Sequence, residues 1–189
     1  MDRESTAGPS LRPAVFLDRD GTIIEEVKYL ADPGGVVLLP GAVEALTLLR
    51  KAGFALVVVT NQSGIARGFY TEEDYRAVAR QLDDLLLVHS LTLDASHFCA
   101  HHPEFSGECF CRKPATGMHR AAALELGLDP STSFFVGDRV RDLLPALELG
   151  GDGILVRTGY GSQEEGDLPD GFRAAEDLLE AACMIVERG

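Results

Sequence analysis

Two aspartates separated by one residue are the first groups in this chain that could do chemistry. Asp18 and Asp20 stand in Phe16-Leu17-Asp18-Arg19-Asp20-Gly21-Thr22, directly after an apolar run. In extended backbone, residues two apart point to the same side, so both carboxylates face one space. Gly21 lets the chain turn sharply behind them. Facing carboxylates repel unless a cation or a proton intervenes, and oxygen donors favour magnesium. Such a pair can divide the labour of phosphoryl transfer. Asp18 attacks phosphorus to form an aspartyl-phosphate; Asp20 protonates the leaving oxygen and then deprotonates a water. Taken alone, the segment reads equally well as a turn rich in Asp and Gly.

Three further polar segments follow apolar runs. Val59-Thr60-Asn61-Gln62-Ser63-Gly64 offers a hydroxyl and backbone N–H groups that can hold a phosphoryl oxygen. Cys111-Arg112-Lys113-Pro114 supplies adjacent cations, and the planar fork of Arg112 can grip a second phosphate or a hydroxyl pair. Phe134-Phe135-Val136-Gly137-Asp138 ends a run in Gly-Asp, with Arg139 and Asp142 just beyond. A fourth group is of another kind: Cys99-Ala100-His101-His102-Pro103, then Cys109-Phe110-Cys111, a C-x-H-x7-C-x-C pattern. Three thiolates and an imidazole match a tetrahedral structural zinc site, with iron the alternative at such thiolates. Either His101 or His102 can complete the set by spacing. Buried free cysteines are the plainer reading of the same residues.

The elements that must carry these groups alternate. Strands are expected over 14–17, 54–60, 95–100, 133–136 and 153–156, and helices over 41–52, 71–88, 116–126, 142–149 and 172–188. That alternation predicts an α/β, Rossmann-like, doubly wound and mainly parallel sheet with helices on both faces. In such sheets ligands bind at the carboxyl ends of the strands, where all four polar segments would arrive. Residues 1–13 read as a disordered tail and 14–189 as one domain, with no insertion long enough for a lid. His89, His97 and His119 read as solvated or capping residues and Cys183 as a core residue.

The four segments, in order, resemble the signatures of the haloacid dehalogenase superfamily of phosphohydrolases, over about Ala14 to Gly161. The resemblance implies a capless member. It implies Thr60 as the second-motif phosphoryl contact and Lys113 as the lysine that neutralises phosphoryl group and nucleophile. It implies Asp138 as a magnesium ligand beside Asp18 and a backbone oxygen of Asp20. Asp142 resembles an outer-shell acid, though such a residue is more often a helix N-terminal acid stabilised by the dipole, and it is left out of the metal shell.

The zinc-type loop resembles two capless groups, the D-glycero-D-manno-heptose-1,7-bisphosphate 7-phosphatases and the histidinol-phosphate phosphatases. It implies Cys99, His101, Cys109 and Cys111 as ligands of a structural zinc that shapes the loop carrying Arg112 and Lys113. Thr60 to Gly68, Tyr29 to Pro33 and Leu155 to Gly159 resemble the heptose group. There, the residues matching Glu26, Tyr29, Thr60, Asn61, Gln62, Ser63, Arg112 and Lys113 touch substrate, and Arg139 joins them here. Arg67 and Lys28 are further candidates for a second phosphate. The short stretch from His101 to Cys109 and the Glu25-Glu26 pair lean instead toward the histidinol type.

Composition bounds the remaining alternatives. The 189-residue chain is 46% hydrophobic and carries a net charge of -13. Such an acidic surface repels nucleic acid and anionic lipid, and no apolar stretch approaches the roughly 18 residues of a membrane helix. The expectation is a cytoplasmic, monomeric, magnesium-dependent phosphatase acting on a small phosphorylated sugar. A phosphomutase would need a lid. A non-catalytic zinc-binding module would explain the cysteine loop but not Asp18, Asp20, Lys113 and Asp138 after separate strands.

Overall fold

A computed structural model of the chain describes residues 11–188. Five strands are buried at nearly every position or lie against buried neighbours: Ala14–Leu17 (β1), Ala55–Asn61 (β2), Ala95–Cys99 (β3), Phe134–Gly137 (β4) and Asp152–Val156 (β5). With Arg173–Ala175 (β6) they form one wholly parallel sheet in the order β3-β2-β1-β4-β5-β6. Successive side chains point to opposite faces, and the core divides accordingly. Val15, Leu17, Leu56, Val58 and Val136 pack on one side with helices Ala42–Lys51 (α1), Glu72–Val88 (α2) and Leu178–Val186 (α8). Phe16, Val57, Val59 and Phe135 pack on the other with Gly117–Leu126 (α4) and Pro145–Leu149 (α6). Shorter helices Pro103–Ser106 (α3), Val140–Leu143 (α5) and Gly161–Glu164 (α7) lie in the connections.

The expected doubly wound architecture is the one observed. The strand order reverses between β1 and β4, which opens a crevice at their carboxyl ends. The start of α2 shows how local sequence sets an element: Thr71 accepts from the Asp74 N–H at 3.1 Å, and Asp74 accepts from the Thr71 N–H at 2.8 Å.

Five expectations need correction. The span 172–188 is not one helix: Arg173–Ala175 pairs with β5 as the sixth strand, and Asp177 caps a shorter helix by accepting from the Glu180 N–H at 2.9 Å. Alanine-rich residues favour helix locally, but the open edge of β5 offers a backbone ladder that outweighs that preference. The span 142–149 breaks in two because Pro145 has no N–H to continue the first turn. Cys183 is exposed, whereas His119 is buried between Phe16 and Phe135, where burial pushes its imidazole down to about 3. Of the expected tail, residues 1–10 lie outside the described part, but Arg12 and Pro13 belong to the fold. Arg12 pairs with Asp94 at 2.7 Å, and Pro13 accepts from the Ala55 N–H at 3.1 Å.

Candidate active site

The crevice brings the polar segments together. Asp18 leaves β1, Thr60 lies in β2 and Asp138 follows β4, and all three line one cleft of about 220 Å³ with Asp20, Glu26 and Tyr29. Lys113 reaches the same point from beneath. Its ammonium donates to Asp18 Oδ1 at 2.6 Å, to the Val59 carbonyl at 2.6 Å and pairs with Asp142 Oδ1 at 2.8 Å. Burial disfavours this charge, but Asp142 and Asp18 outweigh it and hold the Lys113 pKa above its ordinary value. Asn61 ties the lysine's main chain down, accepting from its N–H at 3.0 Å and donating to its carbonyl at 3.1 Å. The second and third polar segments are thereby joined at the backbone.

Asp138 sits in a cradle of two glycine turns. Its Oδ2 accepts from the Tyr160 N–H at 2.8 Å, and Thr158 Oγ1 donates to the Gly21 carbonyl at 2.6 Å, latching the turns together. A Cβ on Gly21 would stand 2.4 Å from Asp138 Oδ2, and one on Gly159 2.2 Å; both glycines have positive φ, +76° and +55°. Only glycine satisfies both demands. Burial, then Asp18, pushes Asp138 up to about 8.

These observations test the fit of a divalent cation. One oxygen each from Asp18, Asp138 and Asp142 lie within 4.8 Å of one another. Three largely buried carboxylates around one point, with one lysine among them, form a site that a hard cation with oxygen ligands relieves. The Asp20 carbonyl accepts no hydrogen bond among the described residues, so it too is free to ligate. Asp142, expected outside the metal shell, is buried, ion-paired to Lys113 and part of this carboxylate cluster.

Beside the cleft, Cys99, His101, Cys109 and Cys111 converge, their donor atoms within 4.8 Å of one another. Zn–S and Zn–N bonds of about 2.3 and 2.0 Å imply tetrahedron edges of roughly 3.5–3.8 Å. The edges here are 3.6 Å (Cys99–Cys109), 3.4 Å (Cys109–Cys111), 3.3 Å (His101–Cys111) and, shortest, 2.9 Å (Cys99–Cys111). The donor set is compatible with zinc. The choice between the two histidines falls to His101, because His102 Nε2 instead meets Arg67 at 2.7 Å and His102 Nδ1 accepts from the Glu104 N–H at 3.3 Å.

Other expected site residues sort by position. Glu26, Tyr29, Asn61, Gln62, Ser63, Lys28 and Arg139 line the cleft. Burial, then Asp20 and Asp18, pushes Glu26 up to about 7. Tyr29 packs on Phe69 with ring centroids 4.4 Å apart, and Arg139 stacks 3.5 Å over the Tyr160 ring while paired with Glu164 at 2.8 Å. Arg112 stands apart from the cleft wall, donating to the His101 carbonyl at 3.2 Å, and Arg67 is turned to His102. Four polar cleft residues lie outside the expected set: Arg19, Tyr70, Arg141 and Tyr160. Arg19 sat in plain view between the two aspartates, but its burial is a tertiary fact; for Tyr70 no local signal existed.

The haloacid dehalogenase-like hydrolase family model matches residues 15–123, and a second HAD-like hydrolase model matches 110–181. The chain is similar to the D-glycero-beta-D-manno-heptose-1,7-bisphosphate 7-phosphatase of Yersinia pestis, 43% identical over 82% of this chain and 86% of that one. The same-named protein of Pasteurella multocida is 40% identical over 93% of this chain and 95% of its own. Among solved structures, the D,D-heptose 1,7-bisphosphate phosphatase of B. bronchiseptica, complexed with magnesium and phosphate, superposes with TM-score 0.86 at 33% identity, covering 94% of this chain and 99% of that one. The corresponding Burkholderia thailandensis structure gives 0.72 at 31%, covering 93% and 99%. Among the described residues no helix is long and apolar enough to cross a membrane.

Proposed function

Because the chain belongs to the haloacid dehalogenase-like hydrolases, among the heptose 1,7-bisphosphate phosphatases, we propose that it removes the 7-phosphate of D-glycero-D-manno-heptose 1,7-bisphosphate in a magnesium-dependent reaction. The relatives are named for the β anomer, and that anomer is the proposed substrate. The observation that carries the reading is the buried Lys113 held between Asp18 and Asp142, with Asp138 across from them. A nucleophile, its neutralising cation and a metal-type carboxylate set meet at one point, and a mere zinc-binding module would have no use for them.

One oxygen of Asp18 is bonded to Lys113, which leaves the other to attack phosphorus in line. The P–O bond to carbon 7 breaks as the new Asp18–P bond forms, and Asp20 gives its proton to the departing sugar oxygen. Asp20, now ionised, takes a proton from a water that attacks the aspartyl-phosphate and releases inorganic phosphate. Lys113 and the Thr60 hydroxyl face charge on the transferring group. Bound magnesium, held by Asp18, Asp138 and the Asp20 carbonyl, supplies charge neutralisation and orientation for the phosphoryl group. Glu26, Tyr29, Asn61, Ser63 and Arg139 frame the sugar, and Lys28, which lines the cleft, attracts the second phosphate, with Arg112 joining once it leaves the His101 carbonyl. Structural zinc on Cys99, His101, Cys109 and Cys111 fixes the segment that delivers Arg112 and Lys113. The proposed state is a monomer, and cysteines kept reduced as zinc ligands suit a reducing, cytoplasmic setting.

The test is phosphate release with magnesium from both anomers of the bisphosphate and from histidinol phosphate, with Asp18→Asn as control. Preference for the β bisphosphate, lost in the variant, is expected. Preference for histidinol phosphate would move the chain to the sister group, and no release from any ester would remove the catalytic reading.

A further inference from the structure

The Asp20 carboxylate is held from two sides. Arg19, almost wholly buried, donates to it through Nε at 3.1 Å and Nη2 at 2.9 Å. From the other side the Gln62 amide nitrogen donates at 2.9 Å. That nitrogen gives its second hydrogen to Thr60 Oγ1 at 2.9 Å, while Gln62 Oε1 accepts from the Tyr70 hydroxyl at 2.6 Å. Gln62 is only 4% exposed, and both ends of its amide have partners within the protein. An amide facing a carboxylate must present its NH2 group there, so its oxygen turns to Tyr70, which can only donate to it. Burial pushes the Tyr70 hydroxyl up to about 12, so it keeps its proton. The ring is seated where Gly64 has no side chain; a Cβ there would stand 2.1 Å from it.

Without the phenol, the Gln62 amide loses the bond to its oxygen and is held only through its nitrogen, so Asp20 is left more to Arg19, its neighbour in the chain. The arginine then draws the carboxylate toward the buried side, away from Thr60 and the phosphoryl position. We propose that Tyr70 is a positioning residue for the general acid: through Gln62 it fixes the Asp20 carboxyl group where, in its protonated form, it gives its proton to the leaving oxygen. This rests on the phosphatase reading above, and its consequences differ from those of a substrate contact at Gln62.

Only a poor leaving group needs the proton from Asp20. A sugar alkoxide requires it, whereas p-nitrophenolate departs unaided. The ratio kcat/KM covers steps up to the first departure, so it separates this role from the later activation of water, which both esters share. In Tyr70→Phe, kcat/KM for the heptose bisphosphate is expected to fall about tenfold, part of the 10²–10⁴ of general acid catalysis, and that for p-nitrophenyl phosphate by less than about twofold. Gln62→Met should show the same selectivity, and Tyr70→Phe should add less than about twofold in its background, since the phenol acts only through Gln62. Equal losses on both esters would overturn the proposal, as would no loss on either or full additivity of the two variants. A wild-type enzyme that hydrolyses the aryl ester but not the bisphosphate would refute the substrate reading alone, and the same comparison would then be run with any alkyl phosphate it does hydrolyse. A wild type inert to every ester would refute the phosphatase reading and the proposal with it.

Discussion

Lys113→Met removes a buried cation while keeping the length of the side chain. Lys113 is 1% exposed and its partners Asp18 and Asp142 are 10% and 4% exposed. Their two carboxylates would be left with no neutralising partner, beside a third on Asp138. Breaking a buried pair in this way costs about 3–5 kcal/mol. At roughly 2–4 °C per kcal/mol for a domain of this size, the melting temperature of the metal-free protein should fall by about 6–20 °C. Protonation limits the loss. Burial already raises the Asp142 pKa against the pull of Lys113, and removing the lysine raises it further. A carboxyl raised in the folded state contributes stability that is full at low pH and lost as pH rises through the folded value. The deficit of the variant should therefore be largest near neutral pH and shrink on acidification. Asp142→Asn should be far better tolerated in the Lys113→Met background than in the wild type, with a coupling energy near the upper end of the 0.5–3 kcal/mol range for contacting residues. Thermal melts of the four proteins, metal-free, at about pH 5 and about pH 7.5 supply every quantity. Additivity within about 0.5 kcal/mol, or a deficit unchanged by acid, would refute the account of Lys113 as the neutralising group of this cluster.

Three other outcomes follow from the same geometry. Asp138, pushed up to about 8 by burial and then by Asp18, binds a proton in competition with magnesium. Its contribution to the stability of the metal-free protein is full below its ordinary value near 3.8 and lost as pH rises through about 8. Magnesium affinity, read by calorimetry, should weaken by up to about tenfold for each pH unit below that value; a flat profile would show Asp138 ionised throughout. Gly159→Ala sets a Cβ 2.2 Å from Asp138 Oδ2, so magnesium binding should weaken at least about tenfold, or about 1.4 kcal/mol, and an unchanged affinity would mean the cradle yields. About one zinc per chain is expected by elemental analysis; Cys109→Ser should lower that content and, by loosening the Arg112-Lys113 segment, reduce kcat. Full activity in zinc-free protein would separate the cluster from catalysis.

The alternation of apolar runs with amphipathic stretches was enough to derive the parallel sheet, because strands buried on both faces have few other interpretations. Asp18, Thr60 and Asp138 were legible because each stands at the end of such a run, where the chain order itself delivers residues to one edge; Lys113 lies in the loop beyond β3 and was legible only by its place beside the cysteines. The cysteine loop was legible because its ligands lie close in sequence. What the sequence did not reveal depends on contacts between distant segments. Strand β6 forms because β5 has an open edge, whatever the helical preference of its alanines. His119 is buried by Phe16 and Phe135, and Cys183 is exposed by the rotation of its helix, neither of which follows from residue type. Arg112 and Gln62 have motif positions that point to substrate, yet the first turns to the His101 carbonyl and the second to Thr60, Asp20 and Tyr70. The sequence by itself determined which chemical groups reach the crevice. The tertiary structure decided which of them keep free hydrogen-bonding capacity there, because a buried polar group is taken up by whichever partner packing brings within reach.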